Sequence, residues 1–147
     1  ILCFAEYDLV CYRADQPPEL AKLQDQNWSS LLDWAAQNHG AKLAVGTGLT
    51  HVPQPAAALA ALRLAVARLD DFALAALHVM ASITGSLVLG LALAEGRLNA
   101  AQAFQLSRID EDHQAQKWGQ DAEAQVRANG LARELDVAAA FLAASRD

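Results

Sequence analysis

Phe72 to Ala94 (FALAALHVMASITGSLVLGLALA) runs for twenty-three residues without a formal charge, and the rest of the chain has to be arranged around it. As a single helix rising about 1.5 Å per residue, it is long enough to cross a hydrocarbon core of about 30 Å. Its interior favours burial within protein. His78, Ser82, Thr84 and Ser86 interrupt it, and Ala, which contributes little transfer energy, fills much of the remainder. Ser82, Ser86 and Gly90 recur at i, i+4 and i+8, a strip of small side chains that lets another helix approach closely. Asp70 and Asp71 ahead of it suit a helix start, where carboxylates meet the positive end of the dipole. The expectation is a buried central helix over about 72–94, with a membrane-associated helix as the alternative.

The flanking segments supply apolar faces for such a helix. Pro55 to Leu69 places Leu59, Leu62, Val66 and Leu69 on one side, with Arg63 and Arg68 off it. Asn99 with Gln102 three residues on forms a capping-box pattern, opening a helix whose apolar face (Ala103, Leu106, Ile109) covers only its first half. From Asp110 to Lys117 (DEDHQAQK) only Ala115 is apolar, and Trp118-Gly119 closes the segment. A last helix, from about Gln120 to Ala144, turns Leu131, Leu135, Ala138 and Leu142 inward, with Asn129-Gly130 as a candidate break. Upstream, a short helix from Pro17 or Pro18 and a second over Trp28 to Asn38 end at Gly40, which suits a left-handed cap. The aromatic and β-branched residues around Asp8 to Arg13, and Lys42 to Leu49, read as a pair of strands. With Ala about a fifth of 147 residues, the expected fold is mainly α (α+β): one compact helical domain with a two-stranded β element at about 8–13 and 42–49.

Composition excludes several functions. The net charge of −6 and the absence of a basic run exclude non-specific nucleic-acid binding, which needs clustered Lys and Arg. Cys3 and Cys11 form neither a disulfide framework nor a zinc pattern, which fits a reducing compartment. Gly46-x-Gly48 lacks the third glycine, the following helix start and the lysine of a nucleotide loop. No Gly-x-Ser-x-Gly elbow occurs, and neither cysteine has a neighbouring histidine in sequence. His39 and His51, beside turns, read as solvated, and His78, inside the apolar stretch, as a hydrogen-bonded core histidine. Asp110 and His113 are three apart, as in the carboxylate-histidine metal motifs of helix bundles, but the further ligands such a site needs are missing, so a metalloenzyme is a minor alternative. No cofactor or catalytic set is expected. Trp118 either anchors its turn onto the core or forms the apolar centre of a binding patch.

Ser107-Arg108-Ile109-Asp110-Glu111, then Gln114, Trp118-Gly119 and Asp121-Ala122-Glu123-Ala124, resemble the signature of the assembly chaperone for the alpha subunit of the F-type ATP synthase, the "Atp-twelve" family. Asp8 to Ala14, the Trp28 to Ala35 helix, Val52-Pro53-Gln54-Pro55 and Gly85 to Ala92 resemble the family in the same order. Ile109 and Asp110 stand where Leu and Glu are more usual. The resemblance implies a monomeric, non-enzymatic protein that binds the free alpha subunit and covers its beta-facing surface until the ring assembles. Arg108, Asp110, Glu111, Gln114, Trp118, Gly119, Asp121 and Glu123 would form the contact. It also implies that this is the C-terminal helical domain of a longer chain with a β-rich N-terminal domain. Such a protein would reside in the cytoplasm of a bacterium or the mitochondrial matrix of a eukaryote.

Overall fold

Glycine decides the shape of the uncharged stretch. In the computed structural model, which describes residues 1–146, Gly85 takes φ 70° and ends one helix. Ser86, in extended conformation, then starts another by accepting a hydrogen bond from the Leu89 N–H at 3.0 Å. The elements in order are α1 (Cys3–Glu6), a 3-10 turn (Leu9–Cys11), β1 (Tyr12–Arg13), α2 (Pro18–His39), β2 (Gly46–Thr47), α3 (Ala56–Ala67), α4 (Asp71–Thr84), α5 (Leu87–Ala94), α6 (Ala100–Ser107), α7 (Ile109–Trp118) and α8 (Ala122–Ser145). The single central helix expected over 72–94 is therefore a hairpin of α4 and α5. No helix among the described residues is long and apolar enough to cross a membrane.

The two arms have different environments. Every residue of α5 is buried, whereas α4 buries one face (Ala73, Ala76, Leu77, Met80, Ala81, Thr84) and leaves Phe72 and His78 exposed. Gly90 serves close approach, as expected of a small residue, although the helix it admits is the other arm of the hairpin. A Cβ there would stand 3.0 Å from Leu77 Cδ1 and 3.4 Å from the Ala81 backbone nitrogen. His78 is thus not a core histidine; its backbone carbonyl accepts from the Ser82 hydroxyl while its ring faces outward.

Around α5 the core has two parts. One joins α2, α3 and the N-terminal segment through Trp28, Leu31, Leu62 and Val10; the other joins α4, α6 and α8 through Met80, Ala103, Leu135 and Leu142. Asp70 caps α4 by accepting from the Ala73 N–H at 2.8 Å, and Asn99 and Gln102 complete the capping box of α6. The two helices expected over 17–38 are one, α2. Its inward positions Leu20, Gln24, Trp28, Leu31 and Ala35 form a single stripe that carries the helix through the polar run Asp25-Gln26-Asn27, where the sequence reading left a gap. The helix expected from Asn99 instead divides at Arg108 into α6 and α7, while α8 runs unbroken through Asn129-Gly130.

The β element is smaller than expected, two residues per strand, pairing in parallel with Tyr12 opposite Gly46 and Arg13 opposite Thr47. The two glycines that weaken this strand in sequence terms both have structural reasons: a Cβ at Gly46 would collide with Val52, and Gly48 turns at φ 76°.

Candidate functional site

Helix α7 has a carboxylate-rich first turn (Asp110, Glu111, Asp112), a placement the helix dipole favours for purely structural reasons. Its attachment to the body is specific. Asp110 Oδ1 accepts from Gln24 Nε2 at 2.6 Å, and Gln24 Oε1 accepts from the Ala14 N–H at 2.7 Å, so one buried glutamine joins β1's exit, α2 and α7. Beside it, Trp28 Nε1 donates to the Leu106 carbonyl at 2.9 Å. Ile109 is buried, and the Arg108 guanidinium lies 5.7 Å from the Phe104 ring centre.

Beyond Ile109 the helix turns outward. Glu111, Gln114, Gly119, Asp121 and Glu123 are exposed, and Trp118 is 80% exposed with Lys117 Nζ 5.9 Å from its ring centre. The surface position of Trp118 removes the core-anchor reading. At about 100° per residue, Asp110, Gln114, Trp118 and Glu111 fall within one arc of about 100° on α7, so the helix gathers four of the eight sequence-predicted residues on one side. Gly119 (φ 90°) then redirects the chain, and Asp121 caps α8 by accepting from the Glu123 N–H at 3.2 Å. Glu123 approaches Arg127 at 4.0 Å with both side chains largely exposed, a pair that contributes little.

Asp110 and Gln114 also line a cleft of about 660 Å³ between α7, α2 and the turn after β2, together with Arg13, Trp28 and Leu49. Arg13 is 7% exposed: its Nε donates to Asp25 at 2.8 Å, one Nη donates to the Val10 carbonyl at 2.7 Å, and its guanidinium carbon lies 5.4 Å from the Trp28 ring centre. A separate, more apolar groove of about 620 Å³ runs between α4 and α8 past Val79, Val137 and Phe141.

No group of three or more His, Cys, Asp or Glu side chains gathers among the described residues, so Asp110 and His113 have no third ligand. Burial, with Asp8 nearby, pushes the Cys11 thiol up to about 12, far from a reactive thiolate. His39, expected to be solvated, instead packs its ring edge-on to Trp34 and pairs with Glu95 at 2.7 Å. His51 is exposed, as expected, and shares a 3.1 Å hydrogen bond with the Tyr12 hydroxyl.

The buried polar residues missed in sequence are Gln24 and Arg13, which line the cleft, and Asp8, which lies in the core. Asp8 is fully buried, accepting from the Val10 N–H at 3.2 Å and the Val88 N–H at 3.0 Å. A carboxylate set directly among apolar neighbours (YDLVC) was the available signal, since such a group must find donors when buried.

No protein-family model matches the chain. Among solved structures, Atp12 of Paracoccus denitrificans superposes with a TM-score of 0.93 at 42% identity, the match covering 96% of this chain and 60% of that one. The chain belongs to the Atp12 family. An aspartate-to-lysine mutant of the Paracoccus Atp12 matches at 41% identity, again with a TM-score of 0.93 and the same coverage. A protein of Agrobacterium tumefaciens described as a candidate chaperone matches at 39% identity and a TM-score of 0.89, over 99% of this chain and 55% of its own. This member thus spans somewhat more than half the length of the Atp12 chains it matches.

Proposed function

We propose that this protein is a chaperone of F-type ATP synthase assembly that binds the free alpha subunit and shields its beta-facing surface until the ring forms. The observation that carries the reading is the exposed Trp118 on α7, flanked by Asp110, Glu111 and Gln114, in a chain that belongs to the Atp12 family. An unassembled subunit interface is a large apolar surface prone to self-association, and its temporary cover must adhere and then leave. One aromatic anchor within a charged rim suits that exchange: the ring supplies buried area, and the carboxylates supply orientation and a salt-sensitive encounter. In this reading Arg108 extends the contact at the start of α7, and Gly119, Asp121 and Glu123 extend it past the turn. The unit acts as a monomer, as the C-terminal helical part of a chaperone completed by an N-terminal β-rich domain, in the bacterial cytoplasm or the mitochondrial matrix.

Co-purification with the synthase alpha subunit, with and without the beta subunit as competitor, tests the proposal. The expected outcome is a complex with alpha that free beta displaces. Failure to bind alpha, or a complex that persists unchanged at saturating beta, would overturn it.

A further inference from the structure

The cleft beside α7 has a charge pattern that selects its occupant. Arg13, the cation in its wall, is already matched by Asp25 at 2.8 Å and by the Val10 carbonyl, so it is not free to attract an anion. Asp15 and Asp110 are the wall's other charges. The ion pairs among the described residues are Arg13–Asp25, His39–Glu95 and Arg127–Glu123, so neither carboxylate is neutralised by a basic side chain. Asp15 rests against the Gly48 turn, its Oδ2 3.8 Å from where a Cβ would stand. That turn carries Leu49, fully exposed at 106%, into the lining of the cleft, which the buried Leu20 shares.

A cleft with two carboxylates that lack a basic partner, although Asp110 accepts from Gln24, and with leucines in its wall is complementary to a cation on an aliphatic stem. We infer that it receives an arginine or lysine side chain projected by the protein partner, with the stem against Leu49 and Leu20 and the charge against Asp15 and Asp110. A volume of about 660 Å³ exceeds one side chain and leaves room for the backbone that presents it. This docking site rests on the chaperone reading and deepens it: Trp118 and the cleft are two contacts made from opposite ends of the α7 arc.

The test measures Kd of the full chain for the isolated alpha subunit at about 50 mM and about 200 mM salt, where screening of exposed charges differs. The variants are Asp15→Asn and Leu49→Ser, with Asp33→Asn, an exposed carboxylate on α2, as control. Asp15 and Leu49 are both exposed, so the variants should keep the wild-type circular dichroism spectrum. Asp15→Asn should weaken binding about tenfold at low salt and less at high salt, Leu49→Ser about fivefold, and Asp33→Asn less than about twofold. Wild-type binding with both cleft variants within about twofold of it would overturn the cleft assignment and leave the chaperone reading standing. A wild-type chain that does not bind alpha would overturn both.

Discussion

Asp8 is the most consequential single residue for stability. Burial pushes its carboxyl up to about 6 from 3.8, although the Ser86 side chain and the amides of Val88 and Val10 oppose the shift. With a folded pKa above the unfolded one, the native state holds the proton more tightly between about pH 4 and 6. Its contribution is complete below the unfolded value and is lost as pH rises through 6. Asp8→Asn should therefore flatten that segment of the stability profile, removing a pH-dependent difference of roughly 2 kcal/mol, as read from urea unfolding at pH 4.5 and 7.5. Gly90 is limiting in another way. A Leu side chain in place of its hydrogen must displace Leu77 and the Ala81 backbone, so Gly90→Leu should cost more than about 2 kcal/mol and lower Tm sharply.

At the scale of elements, Gln24 couples three segments, the exit of β1, α2 and α7, through one side chain. Gln24→Ala would leave the Ala14 N–H without its acceptor and Asp110 without its donor, a loss of about 1–3 kcal/mol by denaturant titration. Amide exchange in α7 should rise more than in α5, because α7 has few other inward anchors. Gln24 also explains what was legible in the sequence. Helices with apolar faces and recognised caps were readable: α3 starts after Pro55, and α6 follows the Asn99–Gln102 box. Where a polar run crossed a helix, as at Asp25 to Asn27 in α2, one helix read as two. Where a breaking glycine lay inside an apolar run, as at Gly85, two helices read as one. Both errors arise because burial of a polar group, or a turn within a core, is decided by distant partners: the Gln24 to Asp110 bond spans 86 residues.

For the whole molecule, stability and recognition are spatially separate. The core is built on α5 with α2, α3, α4, α6 and α8, while the outer half of α7 projects from it. Trp118→Ala should accordingly change unfolding free energy by less than about 0.5 kcal/mol yet weaken alpha-subunit binding at least tenfold, measured by calorimetry and by titration of tryptophan fluorescence. The contact proposed above was legible as a single stretch resembling the family, because its eight residues all lie between Arg108 and Glu123. The cleft was not, because Asp15, Leu49 and Asp110 lie far apart in the chain and meet only after β1 and β2 pair.

The turn at Gly85 also sets an order of events on the ribosome. The first residues of the segment dock there: the Leu9 N–H donates to the Gly85 carbonyl, and Asp8 accepts from Val88, 80 residues later. At about 5–20 residues per second of synthesis, Asp8 waits roughly 4 to 16 s for its amide donor to be made. During that interval the Ile1 to Cys11 stretch, apolar and unpaired, is available to other chains. A protein read as the guardian of a nascent partner has, by this geometry, a vulnerable interval of its own.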